Sequence, residues 1–248
     1  MLNVQSQGPV LRITLNRPEV RNAFNDDLIA QLTLAFRQVS DGIRVVILSG
    51  EGKGFCAGGD LEWMRKAANY TVEQNEADAM KLGDLFASVA ECPAAVIASV
   101  HGACFGGGCG LVAASDIAIA DPSALFAFSE VRLGLIPGTI STHVIPKVGA
   151  SHARALFVSG EAFDAERALR IGLVHEIGDR EALVEAKVKQ LLTVSPAAVA
   201  ESKRLVRDFP LPMEECARRL AAARASDEGK EGLSAFLEKR KASFVVSE

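Results

Sequence analysis

The chain lacks an excess of charge, a long apolar run and an even set of cysteines, and each absence removes a class of function. Its formal net charge is −4 over 248 residues and its pI is near 5.7, so no global field is available to hold a nucleic-acid backbone. A phosphate-bearing ligand has to be met by local donors. No run of about 18 apolar residues occurs, since the apolar segment 94–100 is short and His101 ends it; a membrane-spanning helix is not expected. Residues 1–9 have neither a basic segment nor an apolar one, which reads against a secretory signal. Cys56, Cys92, Cys104, Cys109 and Cys216 are an odd number in a chain able to build its own core, and they read as small buried thiols, reduced in a cytoplasmic compartment. His101, His143, His152 and His175 are scattered. None has a second ligand spaced for a metal, and no Ser/His/Asp set marks a nucleophile, so all four read as structural. Repeats, low-complexity stretches and long linkers are missing too.

What remains is an ordinary globular composition, 49% hydrophobic and 23% charged, with 21 glycines. Ten of the 21 fall in two windows, 50–59 and 102–110. Glycine is entropically costly in a packed chain, so backbone geometry is under demand in both windows. Around them the pattern is α/β. Strands are expected at 10–16, 44–49, 95–100, 115–120 and 124–128, and helices at 27–40, capped by Asp26, and 71–91. Beyond Pro137 the pattern turns helical, at 150–159, 164–171, 181–193, 196–207, 213–225 and 227–241. This divides the chain into a βα-rich part, 1–195, and a helical region, 196–248, whose apolar faces must pack on the core or on another subunit.

Both glycine windows follow a strand and open a helix. Such turns leave backbone N–H groups free, with no Cβ in front of them, and the second window adds the positive end of a helix dipole. One amide from each loop, converging on one carbonyl oxygen, makes an oxyanion hole, where a single donor is worth about 3–4 kcal/mol in catalysis. The plainer reading is tight packing alone. A nucleotide loop is disfavoured, because neither window matches GxxxxGK[ST] or a GxGxxG with its ribose-binding acid.

The segments FCAGGDL (55–61) and HGACFGGGCGLVAASDIAIA (101–120) resemble the two signature loops of the crotonase superfamily, the enoyl-CoA hydratase/isomerase family. LNRP (15–18) with NAF (22–24), FSEVRLGLIPG (128–138), Ala168 with GLV (172–174), and EGLSAF (231–236) resemble further segments, in order, from about residue 4 to 244. The resemblance implies a spiral of ββα repeats with a C-terminal helical region, an acyl-CoA thioester as substrate, no separate cofactor, no metal, and a homotrimer or homohexamer. It places the oxyanion donors on the N–H of Gly59 and of Gly107, the catalytic carboxyl on Glu130, and coenzyme A contacts at Arg21, Ala23, Lys53 and Ala57. Lys53 reads equally as an ordinary exposed lysine. Lys239, Arg240 and Lys241 read as a solvated helix end or as an approach to a coenzyme A phosphate.

One departure carries information. Many hydratases of the family have a second glutamate where this chain has Gly110. Hydration needs a group for water and a group for the α-carbon, which two carboxylates divide. A 1,3 shift of a double bond needs one. Against this, LEWM (61–64) and the run 129–141 resemble a bacterial methylglutaconyl-CoA hydratase-like branch, which also lacks that glutamate and serves leucine or terpene breakdown. Hydration of a 2-enoyl-CoA therefore leads, with Δ3,Δ2-enoyl-CoA isomerisation and non-catalytic acyl-CoA binding as alternatives. Asp60 reads first as a helix cap and Glu62 as a solvated first-turn acid. Glu130, among Phe126, Phe128 and Val131, is expected to be partly desolvated with a raised pKa.

Overall fold

The computed structural model describes residues 1–246. In chain order the elements are β1 (Leu2–Gln7), β2 (Val10–Leu15), α1 (Asp26–Arg37), β3 (Val45–Gly50), β4 (Gly54–Cys56), α2 (Leu61–Ala67), α3 (Val72–Ala90), β5 (Ala95–Val100), β6 (Ala103–Phe105), α4 (Gly107–Ala114), β7 (Ile117–Ala120), β8 (Leu125–Ala127), α5 (Gly138–Ser159), β9 (Ala162–Asp164), α6 (Ala165–Arg170), β10 (Glu176–Ile177), α7 (Arg180–Leu191), α8 (Pro196–Arg207), α9 (Met213–Ala225) and α10 (Asp227–Leu237). A six-stranded sheet runs β1-β2-β3-β5-β7-β10, and a four-stranded one runs β4-β6-β8-β9. Among the strand pairs of the described residues, β1–β2 and β8–β9 are antiparallel and the rest parallel. The chain passes from a strand of the large sheet to a strand of the small one and then to helix: β3-β4-α2, β5-β6-α4, β7-β8-α5. This is the ββα spiral.

The large sheet is apolar on both faces, as a covered parallel sheet must be. Successive strand residues point to opposite faces. Val46 and Leu48 therefore join the main core with Phe36, Leu85 and Phe86 from α1 and α3. Val45 and Ile47 join Ile97, Ile119 and Val184 in a second cluster under α7.

The helical region after residue 195 is tied to this core by an ion pair and hydrogen bonds. Lys203 of α8 bonds Asp116 Oδ2 at 2.7 Å and the Ala94 carbonyl at 2.9 Å. The same carboxylate accepts the Val96 N–H. Burial raises the Asp116 pKa, and Lys203 opposes that shift. Arg44, just before β3, donates to the carbonyls of Val194 and Phe244.

Several boundaries differ from the sequence reading. The cap of α1 is Asn25, whose side chain accepts the Leu28 N–H, and not Asp26. The cause is that Phe24 is held extended against Gly58 and Gly59, so helical geometry begins one residue after Asn25. α5 starts at Gly138, and the piece expected from residue 150 is its second half, set off by a kink at Gly149 (φ 79°, ψ 152°). β1, β4, β6, β9 and β10 add strands where none was read. The strand expected at 124–128 is shorter, Leu125–Ala127, and Glu130 opens a 3-10 turn, Glu130–Leu133, just beyond it.

Candidate active site

The small sheet assembles the site. β4, β6 and β8 are parallel neighbours, with Cys56 opposite Cys104 and Phe105 opposite Ala127. Their carboxyl ends therefore emerge at one edge, where open α/β sheets bind ligands. β4 leads into Gly58 and Gly59, β6 into Gly106 and Gly107, and β8 through Phe128 and Ser129 into Glu130. The strands are three residues long, and together they bring three distant segments side by side.

In the first loop, Gly59 forms a parallel bridge with Phe24. The Phe24 N–H donates to the Gly58 carbonyl at 2.7 Å, and the Asp60 N–H donates to the Phe24 carbonyl at 2.8 Å. In such a bridge the N–H of Gly59 itself faces the other way, and among the described residues it has no acceptor within the chain. Asp60 Oδ1 caps α2 by accepting the Glu62 N–H, as the sequence reading held, and Glu62 is exposed. Asp60 Oδ2 also accepts from Arg17 Nη2 at 2.8 Å, a partner 43 residues away that the sequence reading missed. Desolvation pushes the Asp60 pKa up, but the bonds from Arg17 and the Glu62 amide outweigh it and hold the carboxyl below its ordinary range.

In the second loop, α4 begins at Gly107, and its first helical bond runs from the Gly110 N–H to the Gly106 carbonyl. The amides of Gly107, Gly108 and Cys109 thus have no intrahelical partner. Gly108 and Cys109 are buried, whereas Gly107 and Gly59 retain exposure. The other end of α4 is capped by Lys147, whose Nζ donates to the carbonyls of Val112, Ala113 and Ser115 at 3.2, 3.4 and 2.6 Å. Burial lowers the Lys147 pKa to about 8. Phe24 connects the two loops: a Cβ on Gly107 would lie 2.6 Å from its ring.

Gly110 is more than a missing glutamate. A Cβ there would lie 2.6 Å from Ile140 Cγ2 and 2.7 Å from Phe86 Cζ, and both of those residues are buried. The space that a second carboxylate would need is filled with hydrocarbon.

Glu130 lies at the junction of the loops. Its Oε1 is 3.2 Å from the point where a Cβ on Gly106 would project, and Gly58 Cα is 3.9 Å from that point. Its Oε2 is buried without a hydrogen-bond partner. Desolvation raises its pKa, the direction read from its apolar neighbours. Burial penalises the charged form of a carboxyl so placed, which moves its pKa toward the range where one group can both accept and return a proton.

The other sequence candidates divide. The Ala57 N–H bonds the Arg21 carbonyl at 3.0 Å, so these two residues are adjacent. Arg21 and Lys53 are exposed, whereas Ala23 is buried and its N–H and carbonyl are already bonded within the chain. Arg240 is paired with Glu231 and Glu238 of its own region. His101 Nε2 meets the Gly52 carbonyl, and His175 Nδ1 accepts the Ala118 N–H, both structural bonds. Cys56, Cys104 and Cys109 are buried behind the loops, with burial pushing the Cys56 thiol up to about 12, far from a reactive thiolate. Among the described residues, no group of three or more His, Cys, Asp and Glu could hold a metal ion. No helix of the described residues is long and apolar enough to cross a membrane.

A family model described as enoyl-CoA hydratase/isomerase matches residues 5–246. The crotonyl-CoA hydratase of Syntrophomonas wolfei is 33% identical over 93% of this chain and 92% of its own. The 1,2-epoxyphenylacetyl-CoA isomerase of Escherichia coli K12 is 34% identical over 95% of each chain. A crystal structure of an enoyl-CoA hydratase from Shewanella pealeana superposes with a TM-score of 0.93 at 38% identity, covering 98% of this chain and 95% of that one.

Proposed function

Within the enoyl-CoA hydratase/isomerase family, to which this chain belongs, we propose that it adds water to a 2-enoyl-CoA thioester with Glu130 as the one carboxyl that moves protons. What supports this reading is a pair of amides without a partner in the chain, Gly59 and Gly107, on the two loops whose Gly58 and Gly106 lie beside Glu130, a carboxyl with one buried oxygen that has no partner. The amides receive the thioester oxygen. Glu130 takes a proton from water as the water oxygen bonds to C3, and the electron pair of the double bond moves onto the thioester oxygen. The enolate then collapses as Glu130 returns that proton to C2. Water is added, and the carboxylate is regenerated.

A branched or carboxylated acyl chain of the methylglutaconyl type is part of this reading and rests on segments 61–64 and 129–141. Arg21, Lys53 and Ala57 form the approach for coenzyme A, Lys53 supplying a charge to phosphate and Ala23 only its methyl. A second reading, transfer of a proton from C2 to C4 with a shift of the double bond, is favoured by the hydrocarbon that fills the space at Gly110. Incubation with a panel of 2-enoyl- and 3-enoyl-CoA esters decides between them. Hydration gives loss of the conjugated-thioester absorbance and a mass gain of one water. Isomerisation gives that absorbance from a 3-enoyl-CoA with no mass gain.

A further inference from the structure

We propose that the Arg17–Asp60 ion pair, acting with Phe24, is the positioning device of the thioester site and fixes the direction of the Gly59 N–H relative to Gly107. This rests on the reading of those two amides as the oxyanion donors. Gly59 sits between two backbone bonds to Phe24, one from each side. The residue before Phe24 is Ala23, and the residue after Gly59 is Asp60. The Arg17 guanidinium joins these two: Nη1 donates to the Ala23 carbonyl at 2.6 Å and Nη2 to Asp60 Oδ2 at 2.8 Å. It thus adds a side-chain rung beside the backbone rungs that hold Gly59.

Both ends of that rung are themselves fixed. The Arg17 N–H donates to Asn22 Oδ1 at 2.8 Å, and the fully buried Asn22 donates to the carbonyls of Glu51 and Gly54. Asp60 Oδ1 is held by the first turn of α2. Helix capping accounts for Oδ1 alone; it leaves unexplained why a second, charged partner faces Oδ2. The side chains of Arg17 and Asp60 are 14% and 10% exposed, so water and salt screen the pair little. Phe24 carries the constraint across the site, since its backbone brackets Gly59 while its ring closes on Gly107. A lysine at position 17 cannot serve both acceptors in the same way, because its ammonium is one point charge where the guanidinium is a planar fork.

Arg17→Lys and Asp60→Asn in the full chain test this with butanoyl-CoA carrying ¹³C at the thioester carbonyl, a saturated probe that can be neither hydrated nor isomerised. Infrared spectroscopy reads its C=O stretch. In the unsubstituted protein the stretch falls on binding, because two N–H groups polarise the bond. In both variants the shift is expected to shrink by about half, and kcat on an enoyl-CoA substrate to fall about tenfold, less than removal of a donor would cause, with KM changed less than about twofold. An undiminished shift, or a loss carried by KM with kcat intact, overturns the proposal. No shift in the unsubstituted protein overturns instead the assignment of Gly59 and Gly107 as donors. Phe24→Leu keeps the ion pair and withdraws the ring from Gly107, so it tests the same constraint if the charge variants do not fold. There too a reduced shift supports the proposal and an unchanged one overturns it.

Discussion

The two glycine loops place the same kind of group, a free amide, by different physical means. Gly107 is the first residue of a helix, so its N–H direction follows from local geometry and from the hydrogen bonds of α4, with Lys147 capping the far end. Gly59 has no such support in its own neighbourhood. Its direction depends on Phe24, 35 residues earlier in the sequence, and on an ion pair spanning 43 residues. An amide at a helix start is positioned by neighbours in sequence; an amide in an extended loop is positioned by the tertiary structure. The first is robust to side-chain change, and the second is exposed to it.

The largest expected effect tests whether the two loops serve one chemical step. Glu130→Gln should lower kcat by about 10²–10⁴-fold. Its melting temperature at pH 7 should stay level or rise, because a buried oxygen without a partner no longer carries charge. The pH dependence has a definite sign. With the folded pKa raised above 4.5, ionisation of Glu130 lags behind that in the unfolded chain. Stability contributed by this group therefore falls as pH rises from 4.5 through the folded pKa, while the rate of a carboxylate-dependent step climbs over the higher part of that window. A Glu130→Gln titration by denaturant melts should lack that slope, and a slope of unchanged size would sink the assignment.

Next, Gly110→Glu should destabilise the fold by about 3 kcal/mol, through overpacking against Phe86 and Ile140 and burial of a carboxyl. It should not raise hydration. A stable variant with faster hydration would show that the second-acid position is open after all. Removing the helix cap should have a smaller effect and a different character. Lys147→Met leaves three carbonyls without their donor, a loss of about 2 kcal/mol in urea unfolding. Because the helix still aims the Gly107 amide, kcat should change less than it does in Arg17→Lys; the reverse ranking would break the contrast drawn between the loops. The lysine also titrates. Its folded pKa is about 8, below the ordinary 10.5, so between these values the unfolded chain holds more protons and stability from this group rises with pH. Lys147→Met should abolish that rise. The smallest effect is expected at the exposed Lys53, where Lys53→Ala should raise KM for a coenzyme A thioester about threefold and leave kcat unchanged.

Much of the fold was legible because long elements carry their own periodicity. The helical spacing of Leu82, Leu85, Phe86 and Val89, ended by Cys92-Pro93, put α3 within a residue of its observed limits. The sequence also exposed Asp60 as a cap and Glu130 as a half-buried carboxyl, since local residue types suffice for both. β4, β6 and β9 were not legible, because three residues are too few to show a period and they become strands only by pairing. The start of α5 lay outside the helix expected at 150–159, because Pro146 and Gly149 sit within and between its two helical pieces. The choice of Asn25 over Asp26 as a cap was settled by where Phe24 stops being extended, a fact set by its pairing with a loop more than 30 residues away.

By itself, then, the sequence determined the alternation of strand and helix, the two glycine loops, the acid at Glu130 and the absence of one at Gly110. These are properties of neighbouring residues, and local sterics and apolar spacing enforce them. Only the tertiary structure decided that Gly110 has no room for a side chain, that Phe24 joins the two glycine loops, and that Arg17 closes on Asp60. Those depend on segments that meet only after the chain has folded, where the geometry of packing and of buried charge fixes which atoms touch.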